Sequence, residues 1–193
     1  MTKTSKKFVI DTSLFVNPNV RGDFGTDAPS AVMGFLKKAS KMKNVEFFMP
    51  ASVIHELKNF AGGAACDELE LVVRKRSPNM HAMYMPAAVF YNFVEDVRVR
   101  INKGLRLAEE FAKDNRPDND MKLAKLRDKY RDSMRTGILD SKEDFELVLL
   151  AKELDATLVS ADEGVLNFAN DLGCEWINAS KFGALLKRKS TGK

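Results

Sequence analysis

The chain has few of the residues that build disulfide frameworks and zinc sites. Its 193 residues include two cysteines, Cys66 and Cys174, and two histidines, His55 and His81. Two cysteines do not make a disulfide framework, and the histidines lie too far apart in sequence to form a recognisable ligand pair. We therefore expect two buried thiols and no Cys/His zinc site.

Long apolar runs and glycine-rich phosphate loops are also missing. No apolar run approaches the ~20 residues of a membrane-spanning helix, and the basic N-terminal tip leads directly into a predicted strand without the apolar region of a signal peptide. The Asp11-Thr12-Ser13-Leu14 stretch after that strand matches neither the dinucleotide fingerprint nor a P-loop. These absences predict a cytoplasmic protein with no membrane segment and no nucleotide cofactor.

The remaining pattern is that of an α/β protein. Short apolar strands alternate with helices, and a hydrophobic content of 45% is enough for a core. We predict a parallel sheet of about four strands flanked by helices. The predicted strands are 7–11, 45–49, 157–160 and 174–177.

Two long helices joined by a turn interrupt this alternation. They span about 87–114 and 119–135 and predict a helical hairpin. A shorter helix from about Asp67 to Lys75 precedes them. The predicted organisation is therefore a sheet domain, residues 1–65 and 136–193, with a helical insertion over 66–135, whose hairpin spans about 87–135.

Carboxylates recur where predicted strands end and where a helix begins. Asp11 follows the first strand, and Asp162 follows strand 157–160. Asp140 and Asp144 are four residues apart at a helix start and therefore share one face. Because open α/β sheets bind ligands beyond the carboxyl ends of their strands, we expect these four acids to meet.

Carboxylates that meet in this way indicate a bound cation. Acids a few ångströms apart repel each other and raise each other's pKa. Mg²⁺ and Mn²⁺ take oxygen ligands, and such a site polarises a phosphoryl oxygen and supplies hydroxide near neutral pH. The alternative is that each acid is separately a helix cap or a surface charge. For any one of these acids a cap or surface charge is the better interpretation, but the four together are better explained by a metal site.

The hairpin carries the positive charge of the chain. Residues 98–135 contain twelve Lys or Arg and seven Asp or Glu, a net charge of +5, compared with +4 for the whole chain. The second hairpin helix has only a thin apolar stripe on a charged rod. This pattern fits a protruding hairpin and, equally, a solvated helix packed on the body.

Taken together, these stretches resemble the PIN domain of metal-dependent ribonucleases. The order of their acids is that of the family, and the match covers residues 7–60 and 137–187. The matching stretches are the strand that ends at Asp11, ASVIHELKNF with Glu56, LDSKEDFELVLLAKELDA with Asp140 and Asp144, and TLVSADEG with Asp162.

The hairpin placed before the acidic motif narrows the resemblance. Together with FVIDTSLFVNP and GFLKKA, it makes the chain similar to the HARP family of minimal, protein-only ribonuclease P. The resemblance implies an endonuclease that removes the 5′ leader of precursor tRNA with bound Mg²⁺ or Mn²⁺. It also implies a homo-oligomer in which dimers assemble through the hairpins into a larger complex.

The resemblance also implies roles for particular residues. Asp11, Asp140, Asp144 and Asp162 would be catalytic and bind metal, and Glu56 would be a metal ligand or lie just behind the ligands. We expect Thr12, Ser13 and Ser160 to support them by orienting water or a phosphate oxygen, with a turn or cap role as the alternative. The residues expected to contact RNA phosphates are Arg98, Arg100, Arg106, Lys122, Lys125, Lys129 and Arg131.

Two other functions remain open at this level. One is a PIN-domain toxin that cuts tRNA or mRNA, although such toxins are shorter and rarely carry a long helical insertion. The other is a non-catalytic RNA-binding partner in RNA processing, although a scaffold gains nothing from acids that repel each other.

Overall fold

A computed structural model describes residues 5–113, 119–134 and 141–191. Five strands and a series of helices account for most of these residues. The strands are β1 (Lys6–Ile10), β2 (Val45–Met49), β3 (Val73–Lys75), β4 (Thr157–Ser160) and β5 (Trp176–Asn178). The helices are α1 (Ser13–Val16), α2 (Ala28–Ala39), α3 (Ala51–Ala61), α4 (Gly63–Glu70), α5 (Ala87–Ala112), α6 (Asn119–Met134), α7 (Lys142–Leu154), α8 (Glu163–Asp171) and α9 (Ala179–Thr191), with a 3-10 turn at Arg21–Asp23.

The strands form one parallel sheet in the order β3-β2-β1-β4-β5. The predicted α/β fold with a helix-flanked parallel sheet is confirmed, and the number of strands is five instead of about four. The helix predicted over 67–75 is wrong in its second half. It ends at Glu70, and Val73 pairs with Phe47 at the start of the edge strand β3.

This strand order determines where a ligand would bind. From β1 the chain adds β2 and β3 on one side, then returns to add β4 and β5 on the other. The carboxyl ends of β1 and β4 therefore form a topological switch point, where open parallel sheets hold their ligands. Asp11 and Asp162 follow these two strand ends.

The core lies on both faces of the sheet. The consecutive β1 residues Phe8, Val9 and Ile10 are all fully buried, and successive strand side chains point to opposite faces. Both faces are therefore covered, as is usual for a parallel sheet. On one face, aromatic rings pack between α2 and the sheet, and the ring centroids of Phe35 and Phe47 lie 5.2 Å apart.

The chain divides into two compact units, one of residues 1–84 with 141–193 and the other of residues 85–140. The first contains the sheet, including α4 and β3, so residues 66–84 belong with it and not with the second unit. In the described part of the second unit, α5 and α6 pack together as a hairpin. Across the described ranges, no helix is long and apolar enough to cross a membrane.

Candidate metal-dependent nuclease site

Asp11 occupies the switch point between β1 and β4. It follows directly on the buried end of β1, and its backbone N–H donates to the carbonyl of Val159 in β4 at 3.0 Å. The residue is only 5% exposed. A carboxylate this deep costs free energy unless its oxygens have partners, so its contacts define the site.

Two serines bind one oxygen of this carboxylate. Ser13 donates to Asp11 Oδ2 at 2.5 Å, and Ser160, which is fully buried at the end of β4, donates to the same oxygen at 2.6 Å. Each hydroxyl also accepts from the loop after β4, Ser13 from the Ala161 N–H at 2.9 Å and Ser160 from the Asp162 N–H at 3.0 Å. The serine pair, Ser13 and Ser160, therefore joins the ends of β1 and β4 through Asp11.

The other Asp11 oxygen faces a second acid across one hydroxyl. The Thr12 hydroxyl lies 3.3 Å from Asp11 Oδ1 and 3.4 Å from Glu56 Oε2, and its single proton can serve only one of them at a time. Burial raises the pKa of Glu56, and the charge of Asp11 raises it further. The Thr12 hydrogen bond opposes this rise, while Glu143 adds to it. Glu56 thus lies in the field of two other acids.

Asp162 caps a helix at the edge of this group. Its Oδ1 accepts from the Val165 N–H at 3.0 Å at the start of α8, and the side chain is exposed. One oxygen of Asp162 therefore acts as a helix cap, the alternative role considered for these acids. Its backbone remains tied to the site through Ser160.

Helix α7 begins at a cap that the sequence analysis did not identify. Ser141 accepts from the Asp144 N–H at 3.0 Å, which places the half-buried Asp144 in the first turn. Asp140 lies outside the described residues. Further along α7, Glu146 accepts a 2.5 Å hydrogen bond from Ser52 in the first turn of α3.

Glu143 is an acid near the site that the sequence analysis did not single out. It influences Glu56 across the α3–α7 interface. Its position beside Asp144 in the first turn of α7 was the available signal. The sequence alone did not indicate which of these neighbouring acids faces α3.

The donors present at this edge of the sheet fit a hard divalent cation in kind. They are carboxylate and hydroxyl oxygens, and Asp11 and Glu56 approach each other with one shared hydroxyl proton between them. Within residues 5–113, 119–134 and 141–191, no three acids, histidines or cysteines stand at metal-binding geometry. Three acids lie outside those ranges, Asp114, Asp118 and Asp140, and of these the sequence analysis assigns Asp140 to the metal site.

The basic residues singled out on the hairpin differ in their surroundings. Arg100 and Lys122 are half-buried, and the other five are exposed. Lys129 pairs with Glu110 across the hairpin at 3.2 Å. Within the described residues, Arg106 and Lys125 take part in no ion pair, so they are the most available for phosphate contacts.

Comparison with known proteins defines the class. The profile of the family described as PINc domain ribonuclease matches residues 7–189. Together with the parallel sheet, this match makes the chain a PINc domain ribonuclease. Nucleases of this class generally depend on divalent metal ions.

Curated relatives narrow the class further. Proteins named RNA-free ribonuclease P from Pyrococcus furiosus, Thermodesulfovibrio yellowstonii and Alkalilimnicola ehrlichii are 46%, 42% and 40% identical to this chain. The alignments cover 93%, 93% and 97% of this chain and 92%, 93% and 99% of the relatives. The chain belongs to the RNA-free ribonuclease P family, and it is an endoribonuclease.

Proposed function

We propose that this chain removes the 5′ leader of precursor tRNA by metal-dependent hydrolysis of a phosphodiester bond. The observation that carries the proposal is the nearly full-length similarity to proteins named RNA-free ribonuclease P. The buried carboxylate at the switch point supports the hydrolytic part. Since precursor tRNA is made inside the cell, the proposal includes action in the cytoplasm.

The proposed metal ligands are Asp11, Asp140, Asp144 and Asp162, with Glu56 as a further ligand or as a neighbour that holds bound water. Bound Mg²⁺ or Mn²⁺ would polarise a phosphoryl oxygen and lower the pKa of a coordinated water. Asp11 contributes a fixed, buried negative charge. The raised pKa of Glu56, which follows from burial and from Asp11, is the electrostatic cost that a cation would relieve.

The hairpin would position the RNA away from the cut. Its basic residues can contact phosphates, and such contacts orient a folded RNA without reading its sequence. The proposed contacts are made by Arg98, Arg100, Arg106, Lys122, Lys125, Lys129 and Arg131, of which Arg106 and Lys125 have the fewest competing partners among the described residues.

The first half of α5 supports self-association through the hairpin. Phe90, Val94, Val97 and Ile101 recur at intervals of four, three and four residues, the spacing of a helix–helix seam, and all are exposed, Phe90 by 62% and Ile101 by 64%. Helix α6 has 16 residues and α5 has 26, so α6 cannot cover the whole stripe. We propose that a second copy of the chain covers it.

A paired substitution tests the self-association. Val97→Asp lies on the stripe, whereas Val99→Asp introduces the same charge on the opposite side of α5, and the two valines are similarly exposed. We expect light scattering to show a lower mass for Val97→Asp and an unchanged mass for Val99→Asp. Equal masses for the two variants would remove the hairpin interface from the proposal.

End-mapping of a cleaved precursor tests the activity. A precursor tRNA labelled at both ends is incubated with protein and Mg²⁺, and we expect one cut at the mature 5′ end. Asp144→Asn should abolish the cut, and Asp171→Asn, at an exposed position ending α8, should retain it. Cuts elsewhere would indicate a toxin-like nuclease, and no cut would indicate a non-catalytic RNA-binding protein.

A further inference from the structure

The two oxygens of Asp11 have different surroundings, and this difference restricts how the carboxylate can bind a cation. Oδ2 accepts from both members of the serine pair at 2.5 and 2.6 Å, so its two lone pairs are engaged. Among the described residues, Oδ1 has only the longer contact with Thr12 at 3.3 Å. Only Oδ1 is therefore available as a ligand atom.

The serine pair is itself held in place. Each hydroxyl uses its proton on Asp11 and accepts from a backbone N–H of the loop after β4. Rotation of the Asp11 carboxylate would break two charge-assisted hydrogen bonds and leave the hydroxyls of the half-buried Ser13 and the fully buried Ser160 without their acceptor. The orientation of Asp11 is thus fixed before any cation arrives.

We propose that Ser13 and Ser160 are positioning residues that hold Asp11 as a ligand through Oδ1 alone, and that they thereby select small octahedral cations over Ca²⁺. Mg²⁺ requires near-ideal octahedral geometry, whereas Ca²⁺ takes six to eight oxygens and accepts carboxylates through both oxygens. A carboxylate whose second oxygen is engaged cannot supply the extra ligand that favours Ca²⁺. This inference rests on the proposed divalent-metal site.

Direct binding measurements on the full chain test the selection without RNA. Electron paramagnetic resonance gives the Mn²⁺ affinity, and competition against Mn²⁺ gives the Ca²⁺ affinity. We expect Ser13→Ala and Ser160→Ala each to weaken Mn²⁺ binding by about ten-fold, the usual cost of removing a group that orients a ligand. Ca²⁺ binding should weaken less, so that the preference for Mn²⁺ falls.

Two controls separate positioning from general loss of structure. Ser13→Thr keeps the hydroxyl at a half-buried position and should retain the wild-type preference. Ser52→Ala removes an equally short serine–carboxylate hydrogen bond, the one to Glu146, and should leave the preference unchanged. Thermal unfolding without metal identifies any variant that fails to fold, and Ser13→Ala, at the more exposed of the two sites, serves if Ser160→Ala does not fold.

The outcomes are distinct. The inference is supported if the preference for Mn²⁺ falls in Ser13→Ala and Ser160→Ala but not in Ser52→Ala. A preference that is unchanged, or that falls equally in Ser52→Ala, overturns it while leaving the proposed function intact. A wild-type protein that binds no Mn²⁺ overturns the metal site and the inference together.

Discussion

Replacing Asp11 by asparagine should separate the stability of the site from its activity. Asparagine keeps the shape of the side chain, and its oxygen can accept from the serine pair. Its NH₂ group then takes the position of Oδ1, where it can donate towards Glu56 or Thr12. The substitution removes one negative charge from a site where several carboxylates repel each other.

The expected change in stability is small because two effects oppose each other. Hydrogen bonds to a charged group contribute about 1.5–3 kcal/mol and those to a neutral group about 0.5–1.5 kcal/mol, so the serine pair loses about 2 kcal/mol in total. The new donor and the relieved repulsion with Glu56 return about 1–2 kcal/mol. The net effect is within about 1 kcal/mol, or about 2–4 °C in the unfolding midpoint of a chain of this size.

The expected change in activity is large. Groups that merely orient a ligand cost 10–100-fold when removed, so loss of the ligand itself should cost at least about 100-fold. Cleavage of precursor tRNA at saturating Mg²⁺ measures this loss, and Asp171→Asn controls for a change in net charge. Divalent ions should also raise the unfolding midpoint of the wild type and not that of Asp11→Asn. Near-wild-type cleavage by Asp11→Asn would refute the reasoning.

Three further predictions concern the surroundings of Asp11 and the hairpin. The pKa of Glu56 is raised in the folded protein, so the stabilising contribution of the Glu56 carboxyl group is complete at low pH and is lost as pH rises through that pKa. Without metal, Glu56→Gln should therefore unfold at a higher temperature than the wild type at neutral pH but not at pH 4. Equal unfolding midpoints of the two proteins at both pH values would contradict this. Ser141→Ala removes the cap of α7 and should lower stability by about 1 kcal/mol, measured by urea denaturation, whereas an unchanged midpoint would mean that the cap contributes nothing. Arg106→Ala with Lys125→Ala should reduce the slope of log K for RNA against log salt by about 1.5, and a slope equal to that of a Lys37→Ala, Lys41→Ala control would exclude these contacts.

The sheet was largely predictable because its central strands are encoded locally. The apolar runs that form β2 and β4 have the predicted bounds, since buried parallel strands are apolar on both faces. Strand β3 was not predictable in this way. The stretch before Lys75 is rich in helix-forming residues, and only its pairing with β2 makes Val73–Lys75 extended.

The positions of Asp11 and Asp162 could be predicted from the sequence, but their contacts could not. Asp11 and Asp162 follow strands, and this local fact placed both at the switch point. The hydrogen bond from Ser160 to Asp11 joins residues 149 positions apart, and no local pattern encodes it. The division into a nuclease domain and an insertion stays a prediction. So do the roles of all the proposed site residues, which are Asp11, Thr12, Ser13, Glu56, Asp140, Asp144, Ser160, Asp162 and the basic hairpin residues.

Anomalous diffraction from crystals soaked in Mn²⁺ would test the central claim most directly. We expect an anomalous peak at about 2.0–2.2 Å from Asp11 Oδ1, with Oδ2 still accepting from the serine pair and with other acids among the ligands. A fully occupied Mn²⁺ elsewhere in the protein, with none at Asp11, would contradict it.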